Sequence, residues 1–201
     1  MAPPPTPQTM KERILETADK LFYLQSIRAI GVDTIAAEIG ISKRTLYNHF
    51  PSKDALIAAY LQRRFVAPRP SDKPPAEQIL GTFDSLERRF AAKGFRGCPF
   101  VNAVAELGPK DRAVKKIAIA FKESRRVWFR ERLNELGVAD ADALATQLVL
   151  LVDGSIAQDL VRDDPAMARA AKEAAKVLLR NAGVDVGGAE KPATAAKRTP
   201  H

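Results

Sequence analysis

Cysteine is almost absent from this chain of 201 residues, where Cys98 stands alone. A single thiol excludes an intrachain disulfide framework and fits a reducing compartment. Histidine is nearly as scarce, with His49 and the last residue, His201. One cysteine and two histidines cannot build a Cys/His zinc cluster, and no metal is expected. A Gly-rich phosphate loop and a Gly-x-Ser-x-Gly elbow are missing too, so no cofactor is expected. No acid–base or nucleophile constellation points to an enzyme. Long apolar runs are also lacking: Leu148 to Val152, for one, is far short of a membrane span. The opening MAPPPTPQTMKER has no apolar stretch to act as a signal peptide. A cytoplasmic protein with no membrane partner is expected. Acidic residues are the minority charge, 24 against 32 Lys and Arg, for a net charge of +8. That excess suits a polyanionic partner, but it fits any basic soluble protein as well.

What the chain does have is helical period. Apolar residues make up 46% of it, enough for a real core. No convincing strand run occurs, and about nine helices can be laid out, giving an all-α fold. Thr9-Met-Lys-Glu12 is a capping box that opens the first helix, with Ile14, Ala18, Leu21 and Phe22 on one face. Short helices follow from about Val32 to Ile39 and from about Lys43 to Phe50. Gly40 is suited to end the first of these and Ser42 to cap the second. Pro51 breaks the chain and Ser52 can cap a fourth helix. Ala67 to Pro75 reads as a loop carrying Pro68 and Pro70. Ile79, Phe83, Leu86 and Phe90 then step at three and four. Further helices are predicted from Pro99 to Leu107 and from about Lys110 to Leu136. Two more are predicted, one capped by Asp140 and one opened by Asp164-Pro165 and closed by Gly183. Residues 1–8 and 185–201 read as disordered.

The segment Ile35 to Phe50, IAAEIGISKRTLYNHF, joins two short helices through Gly40-Ile41-Ser42. This is the spacing of a helix-turn-helix, although any helical hairpin with a glycine turn shares it. The residues beyond it are more specific. ILETADKLF, then IAAEIGISKRTLY, then HFPSKDALI run in the order of a known pattern. Over roughly Ile14 to Ile57 the chain resembles the TetR family of bacterial transcription regulators.

The resemblance implies a TetR-type DNA-binding domain over residues 9–66, including the start of a connecting helix. It implies a ligand-binding and dimerisation domain over residues 67–184. Thr45, Tyr47, His49 and Lys53 fall where family members contact backbone phosphates. Lys43, Arg44 and Asn48 lie on the side of the recognition helix that reads bases. An Arg can bond guanine bidentately and an Asn adenine, while phosphate contacts set register. The plainer readings are that Tyr47 and Phe50 are core and that His49 only caps its helix. Gly31 departs from the family's usual hydroxyl residue, and Arg44 stands where many members have glycine.

By the same resemblance the last two helices form a homodimer that suits palindromic double-stranded operator DNA. Ala170, Ala171, Ala174, Ala175 and Leu178 offer a small-residue face, though they also suit a buried intrachain pair. An apolar cavity for a small-molecule inducer is expected from Phe83, Phe100, Phe121, Trp128 and Leu148. Asn102, Glu106, Arg125 and Gln147 are its expected polar anchors. Cys98, beside Arg96 at a helix start, is either a reactive thiolate or an inert core residue. The function expected is a repressor released from its operator by a small molecule. The alternatives are a helical carrier or enzyme, a ligand-independent nucleoid protein, and a thiol-based electrophile or redox sensor using Cys98.

Overall fold

The computed structural model describes residues 8–67, 71–108 and 111–187. The expected disorder at 1–7 and 188–201, Pro68 and Pro70 of the predicted loop, and Lys110 lie outside the described residues. Among the described residues there are nine α-helices and no strand. They are α1 (Met10–Leu24), α2 (Val32–Ile39), α3 (Lys43–His49), α4 (Lys53–Arg64), α5 (Pro75–Phe90), α6 (Pro99–Leu107), α7 (Arg112–Glu135), α8 (Ala141–Arg162) and α9 (Ala166–Asn181).

Local chemistry sets most of the boundaries. The Thr9 hydroxyl accepts from Glu12 N–H, and the Glu12 carboxylate accepts from Thr9 N–H at 2.8 Å. Ser42, Ser52 and Asp140 each accept from a backbone N–H three residues on. Gly40 ends α2 with φ +71°, a left-handed conformation that any Cβ would strain. Asp163, not a glycine, takes the left-handed cap of α8. Pro165 sits just before α9, and Ala166 N–H donates to the Asp164 carboxylate at 2.9 Å.

Two hydrophobic cores form. The first holds Ile14, Ala18, Phe22, Ile35, Leu46, Phe50, Leu56 and Tyr60 of α1–α4. It also takes in Cys98, Phe100 and Ala103 around α6 and Val114 and Ala118 of early α7. The second joins α5, the end of α7, α8 and α9 through Phe83, Phe129, Leu148, Ala175 and Leu179. The 24-residue α7 therefore belongs to both. Between Ala118 and Phe129 its middle turns lie where neither core closes, and a cavity opens there.

Helix α9 divides its small residues between two faces. Ala168, Ala171, Ala175 and Leu179 are buried inside the chain, while Ala170 and Val177 are exposed and Ala174 is half-buried. On α8, Leu150, Gly154, Ala157 and Val161 form a second open stripe at helical spacing. Leu150 is 65% exposed, Val161 85% and Val177 52%, a large opening for apolar side chains. Helix α8 is also long and apolar enough to cross a membrane, judged by length and composition alone. Its other face is packed against α7 and α9.

Candidate functional site

Helices α2 and α3 cross over a small packing core. Ile35, Ala36 and Leu46 are buried between them, and the Ile41 N–H donates to Ala36 C=O at 3.0 Å across the turn. Burying Leu46 and Phe50 turns the opposite face of α3 outward. Lys43, Arg44, Tyr47 and Asn48 are all exposed there, with Thr45 and His49 half-buried on the flank. Arg44, Tyr47 and Asn48 make no hydrogen bond or ion pair among the described residues. Lys43 is held to Asp33 of α2 by a 3.0 Å ion pair, and that bond raises its pKa. Thr45 shares a 2.9 Å hydroxyl–hydroxyl bond with Ser42. Phe50 is core, as the plainer reading had it.

Lys53 opens α4 beside this face. Its ammonium lies 6.0 Å from the Phe22 ring. Burial lowers its pKa, outweighing the opposing pull of Asp54 and Glu106. Gly31 stands at the start of α2 with no side-chain cap.

The cavity has a volume of about 350 Å³ and lies between α4, α6, α7 and α8. Four of the predicted residues meet there: Cys98, Phe100, Phe121 and Arg125. Phe100 and Phe121 are stacked, centroids 3.9 Å apart and planes at 13°. Arg125 extends its guanidinium 5.4 Å from the Phe121 ring centroid. Trp128 lines an adjoining cavity of about 440 Å³ along α5, which shares Arg89 and Arg125 with the first. Cys98 is buried in the wall.

The other predicted residues lie elsewhere. Phe83 and Leu148 are fully enclosed in the second core, and Gln147 is exposed on α8. Asn102 donates to Arg96 C=O at 2.6 Å, fixing the loop before α6. Glu106 accepts from the Ser26 hydroxyl at 2.8 Å and from Arg28 N–H at 3.2 Å. Both anchors therefore serve α6 and its attachment to the α1–α2 segment. Sequence reading had missed Arg63, Arg64, Arg89, Lys122 and Asp153, all of which line the cavity. The only signals were Arg pairs at the ends of α4 and α5, which look like solvated helix ends.

A set of contacts joins the cavity wall to the helix-turn-helix. The Tyr23 hydroxyl donates to Gly97 C=O at 3.1 Å and accepts from Arg96 N–H at 2.9 Å. Arg96 also donates to Leu24 C=O. Arg64 forms a two-point pair with Asp19 at 2.6 and 2.8 Å, tying the end of α4 to α1 on the cavity rim. Its guanidinium stacks 4.1 Å from the Tyr23 ring centroid.

A compact three-helix head with an outward-facing second helix in its turn motif, carried on a larger helical body, defines a helix-turn-helix DNA-binding protein. Residues 14–60 match the sequence profile of the bacterial regulatory proteins of the tetR family. A TetR-type regulator from Streptomyces avermitilis is 31% identical, covering 89% of this chain and all of that one, with a TM-score of 0.78. A TetR-family regulator from Streptomyces coelicolor is 32% identical over 85% of this chain and 94% of its own, with a TM-score of 0.77. The HTH-type transcriptional regulator LmrA of Bacillus subtilis is 27% identical over 73% of this chain and 84% of its own. The chain belongs to the TetR family of DNA-binding transcriptional regulators.

Proposed function

We propose that this regulator is a cytoplasmic homodimeric repressor that leaves its operator when a small molecule enters the cavity between α4, α6 and α7. The observation that carries the reading is the shared wall. Cys98, Pro99 and Phe100 line the cavity, and the loop just before them is bonded to Tyr23 at the end of α1.

In this reading Arg44 and Asn48 meet base edges, with Lys43 beside them. Thr45, Tyr47, His49 and Lys53 grip phosphates. Arg44 and Asn48 are suited to base contact because nothing among the described residues competes for their donors, and each can bond a base edge at two points. Lys43 reaches DNA only by sharing or leaving Asp33. The open stripes of α8 and α9 support dimerisation, since Leu150, Val161 and Val177 would be covered by the same surfaces of a second copy. An apolar groove of about 550 Å³ between α6, α7 and α8 continues that surface at Leu150.

Release follows from geometry. Two recognition helices must sit about 34 Å apart to enter successive major grooves on one face of DNA. A ligand that shifts the start of α6 pulls on Tyr23 and, through Glu106, on the Ser26–Arg28 segment. Tilting each head by a small angle spoils that spacing. Differential affinity of about 1.4 kcal/mol suffices for a tenfold loss of DNA binding.

The test is selection of binding sites from randomised duplex DNA by the full chain. The expected result is a palindromic site bound by a dimer, with affinity falling steeply as salt rises. Recovery of no preferred sequence would overturn the reading.

A further inference from the structure

We infer that the cavity takes a flat aromatic carboxylate, bound with its carboxylate on Arg125 and Arg89 and its ring along the Phe121–Phe100 wall. This names the ligand class of the sensing site proposed above and rests on that reading.

The charge on the wall points to an anion. Five cations line the cavity: Arg63, Arg64, Arg89, Lys122 and Arg125. Two are neutralised within the chain. Arg64 is paired with Asp19 at two points, and Lys122 is paired with Asp153. Arg63, Arg89 and Arg125 make no ion pair or hydrogen bond among the described residues. Asp19 and Asp153 also line the cavity, but Arg64 and Lys122 hold them, so Arg125 borders it with no ion-pair partner of its own and the more exposed Arg63 and Arg89 complete the positive lining. Arg125 is the most enclosed of them, and burial together with nearby Arg89 pulls its pKa below the ordinary value. A charge held that way is unfavourable until a counter-ion arrives, and a guanidinium matches a carboxylate at two points.

The apolar side of the wall points to a flat ring. The Phe100 and Phe121 planes are nearly parallel, and the Arg125 guanidinium lies at one end of this stack. A conjugated ring bearing a carboxylate meets both demands at once, packing on the half-buried Phe121 at the cavity wall while its carboxylate reaches the cation. Arg89 and Arg125 also border the cavity beside Trp128, so an occupied site lies within reach of the chain's one tryptophan.

The experiment compares 2-naphthoate, 2-naphthamide and 2-naphthyl phosphate by calorimetry and Trp128 fluorescence, using the full chain without DNA. The expected order puts 2-naphthoate about tenfold or more ahead of the neutral 2-naphthamide, with the phosphate no tighter than the carboxylate. Arg125→Gln should bring the carboxylate and amide within about twofold of each other, while Arg125→Lys should keep part of the preference. The glutamine variant should melt close to wild type, since the replaced charge is in no ion pair or hydrogen bond and loses only its contact with the Phe121 ring. If it does not fold, Arg89→Gln gives the same comparison. Equal binding of carboxylate and amide to wild type, no binding of any probe, tighter binding of the phosphate, or an undiminished preference in the glutamine variant would each overturn the inference. Adding the selected operator duplex separates this inference from the reading it rests on. Release by the amide without carboxylate preference refutes only the ligand class, whereas tight 2-naphthoate binding that leaves DNA bound refutes only release.

Discussion

Tyr23→Phe removes one oxygen and tests the joint between the DNA-reading head and the cavity. The phenol is the meeting point of two hydrogen bonds, one to Gly97 C=O at 3.1 Å and one from Arg96 N–H at 2.9 Å. The ring keeps its place, because Arg64 lies over it at 4.1 Å and phenylalanine preserves that surface. Each bond contributes about 1 kcal/mol net, so the variant should lose about 2 kcal/mol. Gly97 adopts φ +76°, and this turn holds its carbonyl toward Tyr23. For a chain of this size 1 kcal/mol corresponds to about 2–4 °C, which predicts a melting temperature lower by about 4–8 °C. The assay is thermal unfolding at a fixed protein concentration, since the proposed dimerisation would make the midpoint concentration-dependent. A shift below about 1 °C would refute the joint. A normal shift with unchanged ligand release would leave the joint standing but remove it from the allosteric route.

Val177→Glu places a charge on the open stripe of α9, at a side chain that is 52% exposed and has little packing to lose within the single chain. Sedimentation or light scattering should show folded monomers that bind operator far more weakly, and an intact dimer would contradict the interface. Asp159→Asn should stabilise the protein by about 1 kcal/mol at pH 7. Oδ1 of Asp159 is buried without a hydrogen-bond partner, and burial, then Asp163 and Asp164, raises its pKa. Lys93, which lines the same small cleft, is the nearby cation. A raised folded-state pKa means the carboxylate costs stability above its unfolded value. The advantage of the asparagine should therefore shrink as pH falls through the folded pKa, and urea midpoints at several pH values would show a constant gap if this is wrong. Gly40→Ala should cost about 1 kcal/mol through the left-handed turn alone, because no atom lies within 4 Å of the added Cβ. An unchanged urea midpoint would mean the turn relaxes.

The parts of the fold that were legible in the sequence are those decided within one helical turn. Thr9 with Glu12, Gly40, Ser42, Ser52 and Asp140 each act on neighbours three or four residues away, so the sequence itself displays the partner. The helix-turn-helix was readable for the same reason, since its core is packed by residues inside one short segment. The cavity was not. Arg63, Arg64 and Arg89 stand at helix ends, where guanidinium groups are usually solvated, and only the packing of α4, α5 and α7 brings them to the border of one cavity. Asn102 and Glu106 lie on α6 among apolar residues, which suggested polar anchors of a pocket. Their partners, Arg96 and the Ser26–Arg28 segment, depend on how α6 docks on α1. The alanine face of α9 was read as one surface, but Ala171 and Ala175 pack within the chain. Only Ala170, Ala174 and Val177 remain on the outer side.

The outward face of α3 is the surface proposed to read operator DNA. Fluorescence anisotropy on the selected duplex and on base-substituted versions tests it, with wild type, Arg44→Ala, Tyr47→Phe and Lys53→Ala compared across a salt series. Arg44→Ala should lose about 1–3 kcal/mol on the selected site and much less on a duplex altered at the contacted base. Tyr47→Phe and Lys53→Ala should weaken all duplexes alike, and Lys53→Ala should flatten the salt slope by about one unit. Variants that bind every duplex as wild type does, with the same salt slope, would contradict the account.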